Sequence, residues 1–414
     1  MPEHTIAENL TRLQNAKTAI GNAITAKGGT VGANDGLEDF ATDIATIPSG
    51  GGDYIVRILD TYNNVSAIAN GSIANSTIYN NIRRCNVADN GTISAFYGES
   101  TYTEDGSNGQ VMVYIPKFYY KVEPIYVETK QIYTAAWYVA DSKIDDSYKL
   151  HPAFLATDGI TELDYFLIGA FEAVGQNDEG VYNTSYNTTS YKLGSVGGNT
   201  FKPTTNMTRA TARIMAHNRG NGWYQLGIKQ LMAVQMLFGV EYGFNSQKAV
   251  GWGIVSASSI ANVGNTTGNT TSGSKANKTT PVSYRGIENL WGNVWKYVDG
   301  INYNQYFYIS ESFNFEDDTD VGYFSTSLTV SGTYASRFGL NGAYDWLLIP
   351  ADSSASEYSS IGDYQWASNS GWSIAQIGGR YTSDSKAGLF SYDCSAISSS
   401  SSVNTGSRIM YIPQ

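Results

Sequence analysis

Charge is scarce in this chain. Only 15% of its 414 residues are Asp, Glu, Lys or Arg, and together they leave a net charge of −11. A nucleic-acid binder needs a basic footprint, so that class is excluded. Histidine occurs three times, as His4, His151 and His217, with no pair at metal-ligand spacing, so no zinc site and no cofactor are expected. Two cysteines, Cys85 and Cys394, cannot make a disulfide framework. Two free thiols are the expectation, with a single long-range bridge left open. The most apolar runs, residues 165–171 and 231–240, are too short to span a bilayer and read as core. The opening MPEHTIAENL lacks a basic stretch followed by an apolar one, so no secretory signal and no membrane insertion are expected. A protein of this kind that works outside a cell would leave by another route, such as lysis.

What the chain has in quantity is tyrosine, 31 residues, and glycine, 43. With so little charge, that composition suits a β-rich, loop-rich surface protein better than a helical cytosolic enzyme. Residues 1–48 form a first unit. Ile6, Leu10, Leu13, Ile20 and Ile24 keep heptad spacing, interrupted at Lys17, and Leu37, Phe40, Ile44 and Ile47 repeat it up to Pro48. Two short amphipathic helices are predicted, whose stripe packs against copies of itself; a monomeric helical hairpin is the alternative. Residues 49–53 carry the SGGG joint. Residues 54–108 read as a small β-rich collar, with YIVRIL and TISAFYG as strands. Residues 109–414 mix strands and helices: a strand over 111–122 interrupted at Pro116, another over 163–174, and helices over 208–220 and 226–243.

Residues 372–411 read WSIAQIGGRYTSDSKAGLFSYDCSAISSSSSVNTGSRIMY. Gly378, Gly379, Ala387, Gly388, Leu389, Gly406, Arg408 and Ile409 look like a fixed frame. Between them stand Tyr381, Ser383, Asp384, Ser385, Phe390, Ser391, Tyr392, Asp393, Cys394, Ser395 and the serine run that includes Ser398 and Ser400. Tyr offers rigid amphipathic area and Ser small adaptable hydrogen bonding, the chemistry of antibody-like binding faces. Ser, Tyr, Asp, Cys, Phe, Thr and Ile can also all be reached from an asparagine codon by changing only its adenines. A flexible Ser-rich tail is the competing reading, opposed by the flanking Trp372, Ile374, Ile377, Leu389, Ile409 and Tyr411. Tyr358, Tyr364 and Trp366 share the character of this stretch and would extend the face if they fold beside it; Trp366 could equally belong to the core. The variable-looking region thus runs over residues 353–405. Phe390 and its neighbour Leu389 compete for one inward position.

GIENLWGNVWKYVDG (286–300) resembles the GNVWEW signature of the C-type-lectin-like fold, shared by formylglycine-generating enzymes and by the variable proteins of diversity-generating retroelements. Gly378-Gly379-Arg380 near Trp372, and Gly406-Ser-Arg408-Ile-Met, match the closing strands of that family. The 5–48 region, the segment from Cys85 to Val122 and NRGNGWYQLG…MLFGVEYG are similar to phage tail proteins. The resemblance implies an α+β chain with a C-terminal lectin-like domain. It further implies a homotrimeric tail-tip adhesin of the virion, attached to other tail proteins through its N-terminus and a candidate for diversification by a retroelement. Lys296 departs from the signature, where an acidic residue is usual, and Ile377 stands where Arg precedes the glycines; both count against inherited enzyme chemistry.

Catalytic patterns find little support. Formylglycine-generating enzymes need two active-site cysteines, and only Cys394 lies in the matching region, beside Asp393 and Ser395, which supply no cation for a thiolate. GNTTSGSK (268–275) lacks the Gly-Lys junction of a phosphate loop. Glu241, Glu288, Asp299, Asp345 and Asp363 include no pair the sequence singles out for glycoside hydrolysis. The EPN- and QPD-type tripeptides of calcium-dependent lectins are missing. Trp291 and Trp295 read as core rather than a sugar platform. The expectation is therefore a non-enzymatic adhesin for a host-surface protein or glycan, with a tail-associated glycan hydrolase and a purely structural tail component as alternatives.

Overall fold

The computed structural model describes residues 5–26, 31–32, 54–59, 65–68, 73–127, 132–266, 268, 271–330, 332–335, 337–340, 342, 344–351, 356–367 and 371–414. The chain is α+β, with strands dominating and few helices. Short runs rich in Val, Ile, Tyr and Phe, punctuated by Gly and Asn, build three main sheets.

The first sheet has six antiparallel strands, in the order Trp223–Gln225, Ile409–Tyr411, Tyr165–Gly169, Gln110–Pro116, Arg83–Val87 and Ile93–Phe96. The second carries the site. Its strands run Tyr323–Ser325, Tyr306–Ser310, Trp295–Asn304, Ser373–Ile377, Tyr392–Ala396 and Gln365–Ala367, and Thr405–Gly406 pairs in parallel with the start of Trp295–Asn304. The third joins Val65–Ile68, Tyr54–Leu59, Ile132–Ala140, Tyr119–Val127 and Lys149–Leu150. Helix Ile228–Tyr242 is apolar on every side, so it is buried rather than amphipathic. It starts at Gly227, stops at Gly243 with φ 90°, and packs against strands of both the second and third sheets. Phe238 on this helix meets the Trp291 ring edge-on, with centroids 5.6 Å apart. Helix Arg209–His217 is capped by Thr208, whose hydroxyl accepts from the Thr211 N–H at 3.1 Å.

Helix Ile6–Ala26 matches the first heptad run and opens with a reciprocal capping box between Thr5 and Glu8. Ile6, Leu10, Leu13 and Ile20 are exposed along it. The second predicted helix and the SGGG joint lie outside the described residues.

Two boundaries drawn from the sequence move. The line at residue 108 cuts through a sheet, because Arg83–Val87 pairs residue by residue with Gln110–Pro116, and Tyr54–Leu59 pairs with Ile132–Ala140. Strand signals mark where strands lie but not which strands they meet. The single strand expected over 111–122 is two strands in different sheets, Gln110–Pro116 and Tyr119–Val127. The chain changes sheets just after Pro116, which has no N–H to give a ladder.

Candidate binding face

The three separated sequence signatures meet at one place. Gly292 donates its N–H to the Gly378 carbonyl at 2.9 Å, and the Trp295 N–H reaches the Asn404 carbonyl at 2.9 Å. Strand Trp295–Asn304 pairs antiparallel with Ser373–Ile377 and parallel with Thr405–Gly406. The contact requires glycine: Gly378 has φ 89°, and a Cβ there would stand 2.6 Å from the Leu290 carbonyl oxygen. Asn293, at φ 61°, accepts from the Ala261 N–H at 2.9 Å and donates to Glu172 at 2.5 Å.

A buried polar layer lies under this junction. Lys296 Nζ sits 3.2 Å from Glu172 Oε1 and donates to the Gly292 carbonyl at 2.6 Å. Burial pushes the Lys296 ammonium down to about 8, against the opposing pull of Glu172. Glu172 supplies, from a distant segment, the negative charge opposite Lys296. Arg408 is sealed beside it and donates to the carbonyls of Gly169 (2.6 Å) and Glu288. These charges fix backbone, and the layer is a floor. Gly378, Gly379, Ala387, Gly388, Leu389, Gly406, Arg408 and Ile409 are all buried.

Above the floor, strand alternation sorts the side chains. Along Tyr392–Ala396, Tyr392 and Cys394 point into the core, while Asp393 and Ser395 face outward. Gln365–Ala367 lies beside this strand in parallel, with Trp366 opposite Asp393. Asp393 and Trp366, together with Arg380, Thr382, Ser383, Lys386, Ser400–Ser402, Asn404 and Thr405, enclose an open cleft of about 530 Å³, within the range of small-ligand sites. Trp366 forms one wall, edge-on to Trp295 at 5.2 Å and packed on Tyr364 at 4.6 Å. Ser383, Asp393 and Ser400 also line the cleft.

The remaining candidates scatter around it or leave it. Tyr381 is half-buried on the loop leading from Arg380, anchored by its N–H to the Asn293 carbonyl at 2.9 Å. Asp384 is ion-paired with Lys278, Ser385 shares a 3.1 Å hydrogen bond with Tyr334, and Ser398 donates to Asp318. Ser395 is exposed and caps Asp393 with its N–H at 2.9 Å. Tyr358 is 64% exposed but belongs to a second, smaller cleft with Trp252 and Lys248.

Three candidates are corrected. Phe390, Ser391 and Tyr392 are buried and form no part of the face. Phe390 packs between Phe244 (5.7 Å) and Phe338 (5.2 Å), and Tyr392 packs on Phe307 at 5.7 Å. The Ser391 hydroxyl donates to the Lys386 carbonyl at 2.7 Å. Leu389 is also fully buried, so the turn after Gly388 sends both neighbouring apolar side chains inward. Sequence reading passed over Gln376, Lys386, Asn404 and Thr405 and took Trp295 for core, and all of them line the cleft. Arg380 also lines it and entered the sequence reading only as part of the Gly378-Gly379-Arg380 signature; Lys386 had a weak signal in its place between two candidate segments.

Residues weighed for catalysis are tied into structure. Glu241 holds Arg285 at 2.7 Å, Asp299 holds Arg213, Asp345 holds Lys149 at 2.7 Å, and Asp363 accepts the Phe390 N–H at 2.7 Å. Glu288 accepts the N–H groups of Gly264 (2.8 Å) and Thr266 (2.6 Å), which pins the start of the polar 263–280 loop. His151 is sealed among Phe118, Tyr120, Phe154 and Trp346, and burial drives its pKa down to about 3. Cys85 and Cys394 are free and buried, and burial pushes both thiols up, Cys85 to about 12. Among the described residues, no group of three or more His, Cys, Asp or Glu is placed to hold a metal ion, and no helix is long and apolar enough to cross a membrane.

No protein-family model matches the chain, and no curated protein matches it. Among solved structures it shows a distant similarity to the Major Tropism Determinant U1 variant, with 14% identity, a TM-score of 0.27, and coverage of 88% of this chain and 72% of that one.

Proposed function

We propose that this chain is a receptor-binding adhesin of a bacteriophage tail, acting through the cleft walled by Trp366. The observation that carries the reading is the separation of frame from face. The glycines and apolar residues of the closing signatures are buried, while Arg380, Thr382, Ser383, Lys386, Asp393 and Ser400–Ser402 between them line one cleft. Such a face tolerates exchange of its outward residues without refolding, because surface substitutions ordinarily change stability by only about 0.5 kcal/mol. That is the property a diversified binding protein needs, and the adenine-reachable residue set of 353–405 fits diversification by a retroelement. The signatures at 286–300, 378–380 and 406–410 support a C-type-lectin-like domain.

In this reading the chain binds and does not catalyse, since the carboxylates weighed as a hydrolytic pair each hold a structural partner. The exposed stripe on Ile6–Ala26 supports self-association into a homotrimer on the virion, where several copies convert weak contacts into avidity. The test is adsorption of the purified full chain to a panel of bacterial cells, with Ser401→Trp as the probe variant. Ser401 is exposed and lines the cleft, so the indole fills the cleft without touching the core. Adsorption should be lost while the melting temperature holds. Undiminished adsorption by the folded variant would overturn the reading.

A further inference from the structure

The cleft holds two cations without anionic partners. Arg380 and Lys386 both line it, and neither side chain makes an ion pair or hydrogen bond with any described residue. Lys386 stands over the Tyr364 ring, its ammonium 4.5 Å from the centroid, which holds it at the wall without neutralising it. The acid in the cleft, Asp393, accepts the N–H and hydroxyl of Ser395 on its Oδ1 and, among the described residues, makes no ion pair with either cation. The nearby Asp384 is taken by Lys278. In a molecule of net charge −11, this is a local positive site inside a concavity, where low-dielectric walls focus the field.

The rest of the lining is hydroxyl and amide. Gln376 is almost fully buried at the floor; its Oε1 accepts from Thr405 at 3.1 Å, and its Nε2 has no partner among the described residues. Trp366 gives an aromatic wall, with Trp295 edge-on to it. With Phe390 and Tyr392 in the core, these two part-buried or buried rings are the aromatic side chains that line the cleft, and neither projects as the anchors of protein–protein interfaces do. A recessed, polar cleft of this size suits a small polyhydroxylated group better than a protein epitope, which ordinarily covers about 800 Å² per partner.

Resting on the proposed adhesin role, we infer that the cleft recognises an anionic saccharide of the host surface: a sugar ring against Trp366, hydroxyls on Gln376 and the serines, and the anionic group between Arg380 and Lys386. Both carboxylate and phosphate substituents fit a guanidinium fork and an ammonium.

The experiment uses the full chain and polysaccharide extracted from cells that adsorb it, in three forms: native, carboxyl-reduced with carbodiimide and borohydride, and dephosphorylated with hydrofluoric acid. Binding is measured by calorimetry for the wild type, Arg380→Gln and Lys386→Gln, with near-UV circular dichroism as the folding check. One of the two chemical treatments should weaken wild-type binding about tenfold or more, the range of a charge-assisted hydrogen bond. Each Gln variant should weaken binding to native polysaccharide similarly and lose little more on the treated one. The treatment that acts identifies carboxylate or phosphate. Equal binding to all three forms overturns the inference. So does a failure to bind the polysaccharide when protease treatment of the same cells abolishes adsorption, which would make the receptor a protein. Either result leaves the adhesin role standing, because that role fails only if Ser401→Trp still adsorbs. The polysaccharide treatments do not depend on how any variant folds.

Discussion

Lys296 and Glu172 form an ion pair at 3.2 Å with both side chains sealed from solvent. The pair sits directly under the junction of the three signature segments, so its integrity sets the shape of the floor on which the cleft is built. Removing one partner of a buried pair leaves an uncompensated charge, and the cost is typically about 3–5 kcal/mol. Lys296→Met should therefore destabilise the protein by that order in denaturant unfolding at pH 7. Adding Glu172→Gln to Lys296→Met should restore much of the loss, since no lone charge remains. A single variant as stable as the wild type would show that the pair is not a structural element.

The buried imidazole of His151 gives a pH dependence with a defined sign. Its folded pKa is lowered from 6.5 to about 3, chiefly by desolvation. Between those values the unfolded chain binds a proton that the folded chain does not, so stability falls as pH drops through this window, by at most about 1.4 kcal/mol per pH unit from this group. His151→Asn keeps an acceptor for the Ala153 N–H, which now bonds Nδ1 at 3.2 Å, but cannot titrate. Unfolding free energies from pH 7 to 4 should fall less steeply for the variant. Parallel pH profiles would refute the assignment.

Phe390 and Thr382 occupy neighbouring segments yet should respond oppositely. Phe390 is fully buried against two other rings, and Phe390→Ala should cost about 3–5 kcal/mol. Thr382 is exposed at the cleft, and Thr382→Ala should stay within about 0.5 kcal/mol. Thermal melts in which Phe390→Ala is tolerated would return that residue to the face.

The stripe of Ile6, Leu10, Leu13 and Ile20 is 41–82% exposed along one helix. If it is a self-association seam, the double variant Leu10→Glu, Leu13→Glu should convert an oligomer to a monomer in light scattering without altering the near-UV spectrum. A wild type that is already monomeric would end the trimer proposal.

Much of this protein was legible locally. Apolar spacing and caps located the helices Ile6–Ala26, Arg209–His217 and Ile228–Tyr242 to within a few residues, because helix periodicity and capping are properties of neighbouring residues. Gly378 and Gly379 were read as frame, and the structure gives the reason: only glycine tolerates their φ and the space they leave. Trp366, grouped with the Tyr/Ser stretch by composition, does lie beside it, opposite Asp393.

What the sequence by itself determined is the alternation of the strand after Gly388; what it left open is the phase of that alternation. A period of two says that Tyr392 and Cys394 share one side and Asp393 the other, but not which side is inward. Pairing of Tyr392–Ala396 with Ser373–Ile377 and Gln365–Ala367 chose the phase, and so sent Tyr392 to the core and Asp393 to the cleft. The charges followed the same rule. Lys296 looked like a lost acid until the fold brought Glu172 to it, and Arg380 and Lys386 gained their meaning from the carboxylates that the fold placed elsewhere. Periodicity is local, whereas register and charge compensation are contacts between distant segments, and only the tertiary structure decides those.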